Sequence, residues 1–468
     1  MNTPQTISEL HDDLRQNKYT VVSLVEEYLK KITEKNPELN AFITVSDEYA
    51  YAQAKEADRV IADNPHAFEE FPLLGVVIAL KDLYLTKGIR TTAASKLLSD
   101  YVPAYSATVV ERLEKAGAII IGKTNCDAWA HGASGENSDF GASLNPWNTE
   151  YVPGGSSSGS AVSVAAGMSL ASMGTDTGGS IRQPASFTNL VGFKPTYGAV
   201  PRYGVIAMAS SLDTMGHFTH TVEDSAKIFA VTNGQDQKDS TIASSQNAHQ
   251  AQKPFRIGVP KEYFAEGIDP EVSQKVHEVI SFYKAQGCEI VDISLPHTKY
   301  AISVYYIVQP AEVSSNLGRY DGVRFGTKRN MFGAEAKRRI MLGTYVLASG
   351  YYDAYYNKAM KVRTKICEDF SNAFGQVDAI LSPVSPTPPF KLGQKASDPL
   401  AMYLADIYTV AANLAGLPGL AIPAGFSGEG LPIGFQLLAN HHQEDLLFKL
   451  GIMYQNETDW HTKLPGRS

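Results

Sequence analysis

Little in this sequence belongs to the usual means of holding a metal, a membrane or a nucleic acid. Its 468 residues include only three cysteines, Cys126, Cys288 and Cys367, which lie far apart and form no CxxC pair. A disulfide framework and a thiolate zinc site are both excluded, and a reducing compartment fits. There is no HExxH, and none of the 11 histidines stands where a His-based triad would announce itself, so no metal site is expected. Positive charge is not in excess either. With 41 basic against 49 acidic side chains and a net charge of -8, the chain is poorly made for gripping a phosphate backbone, and any nucleic acid would be held by another chain. The first residues, MNTPQTISELHDDLRQ, lack both the basic-then-apolar run of a secretory signal and the Arg-rich character of a transit peptide, which points to the cytoplasm. A long uncharged stretch, Pro153 to Thr175, is loaded with Gly and Ser and opens on a Pro-Gly-Gly turn. That is poor material for crossing lipid, so no membrane is expected, and the stretch reads as a buried helix flanked by turns. No internal repeat is seen.

What the chain does have is core material. Hydrophobic residues make up 44% and charged residues 19%, near the globular average. Thr20 is placed to cap a helix whose Val22, Val25, Leu29 and Ile32 form one apolar stripe. Leu74–Leu80 is a continuous apolar run ending at Lys81-Asp82, the pattern of a strand covered on both faces. A helix over Ala107–Ala116 leads to a second buried strand at Ala118–Ile121, and strand and helix alternate to about Gly234. After a polar excursion the alternation resumes with RIGVP, a helix near Pro270–Ala285 and EIVDISL. Further on come a strand near Val377–Ser382, a strand pair around Ser427–Gly430 and a last helix from Glu444. These patterns predict an α/β fold: a single large domain whose central mixed β-sheet is covered by helices on both faces. Residues 1–65 form an N-terminal helical segment packed on a main domain of 66–468, itself divided into a core (70–235), a polar excursion (233–253) and a C-terminal helical and strand part (255–468).

Two motif spellings carry no chemistry. Gly117–Thr124 reads GxxxxGK[ST], but its four middle residues are apolar and mostly β-branched, so it builds strand rather than a phosphate-cradling loop. Gly155–Gly159 reads GxSxG without the buried strand that a nucleophile elbow needs before it. The informative text is GGSSSGS from Gly154 followed by GTDTGGSIRQP from Gly174, with Lys81 upstream. Here the sequence resembles the amidase signature family, densely from about Leu74 to Asp236 and more patchily to the end. The resemblance implies that family's fold, with the nucleophile on Ser180, the bridging serine on Ser156, its peptide bond cis, and the lysine on Lys81.

Physical chemistry says why these types are needed. A serine hydroxyl requires a nearby base, and a lysine serves only when neutral. Its pKa must fall from about 10.4 toward 7, which asks for roughly 4–5 kcal/mol of differential stabilisation. Burial at the end of LGVVIAL is a means of supplying it. Gly178 and Gly179 leave the backbone unshielded, so the amides of Thr177, Gly178, Gly179 and Ser180 are expected to face a developing oxyanion.

Flanking stretches, among them NPWNTEYVPGGSS, MASSLDTMG and SGYYDAYYNKAMKVRT, are similar to one branch of the family, the amidase components of amidotransferases acting on glutamyl-tRNA(Gln) and aspartyl-tRNA(Asn). That similarity implies a glutaminase whose ammonia is used by a partner chain. It implies a heterotrimer with the B and C subunits of such a complex, tRNA reached only through the partner, and no cofactor in this chain, ATP and Mg being used by the partner. Glutamine is a zwitterion, so its pocket needs a cation and an anion. The matching positions are Arg339 and Asp406, with Tyr305 beside them. Ser158 stands where the family usually has glycine, and Gly326–Lys337 is shorter than usual. Other readings are a stand-alone amidase for another small amide, an idle scaffold component, and a nucleotide-binding module at Gly122–Thr124. Which tRNA is served is not written in this chain.

Overall fold

The computed structural model describes residues 3–243, 253–264, 267–324, 326–395 and 399–466. Of the polar excursion expected at 233–253, residues 244–252 lie outside the described residues. Eleven strands are present among the described residues: β1 (Phe42–Val45), β2 (Val77–Lys81), β3 (Ile119–Thr124), β4 (Ala171–Asp176), β5 (Val191–Lys194), β6 (Thr214–Thr219), β7 (Arg256–Pro260), β8 (Glu289–Ile293), β9 (Ala379–Pro383), β10 (Gly419–Phe426) and β11 (Pro432–Ala439). They make one sheet in the order β1-β3-β2-β4-β6-β5-β10-β11-β9-β7-β8. The sheet is mixed. β2 runs parallel to β3 and β4, β7 runs parallel to β8 and β9, and the remaining pairings are antiparallel.

The continuous apolar runs became interior strands. Every residue of β2, β3 and β4 is buried, as a strand with helices on both faces requires. Gly122-Lys123-Thr124 lies within β3, so the phosphate-loop spelling is strand. The N-terminal helical segment contains the helices Ile7–Arg15, Val21–Leu39 and Asp47–Asp63, and also edge strand β1. Thr20 caps Val21–Leu39 by accepting from Ser23 N–H, and the Ser23 side chain in turn accepts from Thr20 N–H, which satisfies two orphan groups of the first turn. These helices share one apolar core with β2 and β3 through Leu24, Val25, Tyr28, Val77, Ile78 and Ile120. A second core gathers around β10 and β11, and a third lies between β9 and the helices Ala301–Asn316 and Lys358–Phe374.

Pro153–Thr175 holds the expected helix, Ser158–Ala165, all of it buried, and then runs into β4. The helix Arg182–Thr188 is likewise wholly buried. The C-terminal ends of β2 and β4 therefore open onto one place in the middle of the sheet, where open α/β sheets put their ligands.

Candidate active site

Lys81, the last residue of β2, has no exposed surface. Its Nζ donates to Ser156 Oγ at 2.8 Å, to Ser157 Oγ at 3.0 Å and to Thr175 Oγ1 at 2.8 Å. Hydrogen bonds to three neutral hydroxyls replace water only partly, and among the described residues no carboxylate bonds to the amine. Burial pushes the Lys81 pKa down to about 8, although Cys126, Asp127, Asp176 and Asp213 act against the shift. That is the direction a general base needs at neutral pH. Ser157 Oγ also donates to Thr175 C=O at 3.2 Å, so its single hydrogen is engaged and it can only accept from Lys81. The Ser156 hydroxyl is not engaged in this way. When Lys81 is neutral, its lone pair faces a hydroxyl able to donate to it.

Ser156 follows a cis Gly155–Ser156 peptide bond, as the family resemblance implies. The loop is seated by Asp127, whose N–H donates to Ser156 C=O at 3.1 Å while its carboxylate accepts from Gly135 and Asn137 N–H at 3.1 and 2.9 Å. A Cβ on Gly155 would lie 2.2 Å from Asp127 Oδ2, so only glycine fits there. Ser158, the departure noted in the sequence, donates to Ser143 Oγ at 3.3 Å and packs on Gly135, where a Cβ would meet its own at 2.5 Å. It fills space without entering the site.

Ser180 lies just beyond β4, and Ser157 N–H donates to its carbonyl at 3.3 Å. The backbones carrying the two serines are thus tied together. Among the described residues no hydrogen bond joins Ser156 Oγ to Ser180 Oγ. Of the four amides expected to face an oxyanion, that of Gly179 donates instead to Asp176 Oδ1 at 2.8 Å. Asp176 is buried without exposure and anchored by Arg182 at 3.0 Å and Asn413 at 2.9 Å. Burial by itself would raise its pKa, but the Arg182 guanidinium outweighs that and holds it at about 2. Thr177 Oγ1 donates to Asp213 Oδ1 at 2.8 Å.

The three substrate residues expected from the resemblance come from distant segments. Tyr305, on the helix Ala301–Asn316, is buried against Gly178, where a Cβ would approach its ring to 2.9 Å. Arg339, on the helix Ala334–Val346, is 4% exposed. It donates to Gln309 Oε1 and to Glu335 Oε1, both at 2.8 Å, and its guanidinium lies 5.2 Å from the Tyr306 ring centre. Nη2 remains for another acceptor. The guanidinium borders a cleft of about 200 Å³ that also touches Ser134, Tyr306 and Tyr403. Asp406 is 8% exposed. Burial and the charge of Asp176 raise its pKa well above the usual carboxylate range, while Arg339 and Arg182 oppose them. Such a carboxyl ionises readily only when a further cation arrives.

Sequence reasoning missed Ser157, Thr175, Asp127, Asp176 and Arg182. The first two are ordinary hydroxyls whose task depends on where Lys81 points. Asp176 and Arg182 lie inside GTDTGGSIRQP, and their signal was charge in text otherwise made mostly of small neutral residues, whereas Asp127 lies outside the quoted motifs. Nearby, Lys123 of β3 pairs with Asp82 at 3.3 Å, both fully buried, and donates to Tyr84 C=O and Thr91 Oγ1, each at 2.7 Å. Among the described residues no group of three or more His, Cys, Asp or Glu is placed to hold a metal ion.

A lysine stripped of water, two serines on tied backbones and a glycine turn are the kinds of group that acyl transfer uses. The family model described as Amidase matches residues 23–448. The chain belongs to the amidase family. This amidase is 51% identical over 482 residues to the A subunit of glutamyl-tRNA(Gln) amidotransferase from Geobacter metallireducens, with 98% of this chain and 99% of the relative covered. The crystal structure of the A subunit of glutamyl-tRNA(Gln) amidotransferase from Thermotoga maritima superimposes with a TM-score of 0.81 at 39% identity, covering 95% of this amidase and 94% of that chain. The fold is also that of 6-aminohexanoate cyclic dimer hydrolase, with a TM-score of 0.88 at 23% identity over 99% and 98% of the two chains. No described helix of this amidase is long and apolar enough to cross a membrane.

Proposed function

We propose that this amidase is the glutaminase component of a cytoplasmic tRNA-dependent amidotransferase, hydrolysing glutamine to glutamate and ammonia for the transamidation of Glu-tRNA(Gln), Asp-tRNA(Asn) or both. The observation that carries the chemistry is the fully buried Lys81, with its pKa near 8 and its Nζ 2.8 Å from Ser156 Oγ. The amidotransferase setting is supported by the 51% identity to the Geobacter relative along nearly the whole of both chains.

In this reading Ser180 Oγ turns onto Ser156 and attacks the side-chain carbonyl of glutamine. Its proton passes to Ser156 Oγ as the Ser156 proton passes to neutral Lys81. The tetrahedral oxyanion is met by backbone amides of the Thr177–Ser180 turn, Gly179 excepted. On collapse Lys81 returns the proton through Ser156 to the departing nitrogen, ammonia leaves, and water hydrolyses the glutamyl ester along the same relay. Arg339 takes the α-carboxylate through its remaining donors, Asp406 takes the α-ammonium and Tyr305 closes the wall between them. Ionising Asp406 is costly until that ammonium is present, so an amide without an α-amino group is bound less well. The B and C subunits complete a heterotrimer, and the partner handles tRNA, ATP and Mg.

The complex with Ser180→Ala is expected to lose glutamine-dependent ammonia release while keeping tRNA amidation from free ammonium. Equal loss of both activities in steady-state assays would refute this division of labour.

A further inference from the structure

The turn that precedes Ser180 is pinned by a residue far away in sequence. Thr409 is fully buried, and its Oγ1 donates to Gly178 C=O at 2.6 Å. The same hydroxyl lies 3.1 Å from Asp406 C=O, so one hydrogen is shared between two carbonyls. Thr409 N–H also donates to Asp406 C=O at 3.1 Å, and Thr409 C=O accepts from Arg182 Nη2 at 3.0 Å. A trans peptide points its carbonyl and its N–H in opposite directions within one plane. The Gly178–Gly179 peptide is therefore held at both ends, its oxygen by Thr409 and its N–H by Asp176 Oδ1. Gly179 has φ +132°, and a Cβ there would sit 2.3 Å from Thr409 Oγ1. The glycine makes room for the hydroxyl.

Holding this plane restricts its two neighbours, which hinge on its Cα atoms: the N–H of Gly178 lies in the peptide before it and that of Ser180 in the peptide after it. Among the described residues neither amide donates to a protein acceptor. Donors aimed in advance at a developing charge need no reorganisation during reaction, and losing one costs about 10²–10³ in rate.

We propose that Thr409 is a positioning residue which clamps the Gly178–Gly179 peptide so that the Gly178 and Ser180 amides face the oxyanion, and which joins that turn to the backbone of Asp406. Thr409 touches no reacting atom. It acts through the turn, and its link to Asp406 makes the turn sensitive to what binds there. The inference rests on the amidase reading of Ser180 and deepens it, without depending on glutamine being the amide.

The test compares Thr409→Val, which keeps the shape and loses the hydroxyl, with Thr409→Ser, which keeps the hydroxyl. Two readouts are used on the assembled complex: kcat and KM for glutamine hydrolysis, and the rate at which a fluorophosphonate phosphonylates Ser180 Oγ with loss of fluoride, located by mass spectrometry. The expected result is a fall of about tenfold or more in both kcat and the labelling rate for Thr409→Val, with KM within about twofold of the parent and Thr409→Ser near parent values. Parent-like rates in Thr409→Val overturn the proposal. So does an equal loss in both variants accompanied by a lowered thermal midpoint, which would make residue 409 merely structural. Because labelling does not require glutamine, a parent complex that labels at Ser180 but releases no ammonia refutes the glutaminase reading while the clamp is still decided by the labelling rates.

Discussion

At the scale of single residues, the base in this site is defined by what surrounds its nitrogen. Lys81 has three hydroxyl oxygens within 3.0 Å, and burial brings its pKa to about 8 from an ordinary 10.5. The active form is the neutral amine, so kcat/KM for glutamine is expected to rise with pH through a midpoint near 8, where the free enzyme loses that proton. A pH–rate profile of the complex checks this, and a flat profile across that range would remove Lys81 from the role. Lys81, Ser156 and Ser180 were picked out in the sequence because they sit in dense family text, and the structure brings Lys81 against Ser156. Ser157 and Thr175 were not, since a serine or threonine facing inward looks the same in sequence as one that merely satisfies its neighbours. The engagement of the Gly179 amide by Asp176 was equally invisible, for a turn spelled TGGS does not say which of its N–H groups a carboxylate will claim.

Among elements, the clearest sequence signals were those in which every residue is covered. β2 and β3 announced themselves as apolar runs, and β10 and β11 by the turn between them. β1, β5 and β6 were harder to see. β1 and β5 have four residues each, too few to establish a period. The neighbour order of strands is a long-range property, and the pairing of β5 with β10 joins segments more than 200 residues apart. Contact between the helices Ala301–Asn316 and Ala334–Val346 has an equally local cause that no periodicity reveals. Gly343 lies so near Pro310 C=O that a Cβ would come within 1.8 Å of it. Gly343→Ala is expected to separate the two helices at a cost of about 1–3 kcal/mol. The second helix carries Arg339, so KM for glutamine should rise as well. Denaturant unfolding measured beside steady-state kinetics tests both, and unchanged stability would mean that the helices yield without strain.

Over the whole molecule, Lys81, Ser156 and Ser180 come from the first half of the chain and the proposed pocket residues from the second, and the strand pair β5–β10 joins the two halves of the sheet. Tyr305 and Thr409 meet Gly178 of the turn before Ser180 only once the sheet is complete, a juxtaposition that no spacing in the sequence reveals. Charge acts at this scale too. With a net charge of -8 the isolated chain is expected to retain no tRNA in filter binding at physiological salt, and retention should appear only with the partner chains present. Tight binding by the lone chain would assign part of the tRNA surface to it. Adjacent strands of this sheet carry Lys81 and Lys123, both sealed from water, and of the two only Lys123 forms an ion pair among the described residues, with Asp82. Burial pushes the pKa of both amines down, and at Lys123 the charge of Asp82 opposes the shift. If Lys81 is the base, a carboxylate placed against its amine would hold it charged and stop it accepting a proton.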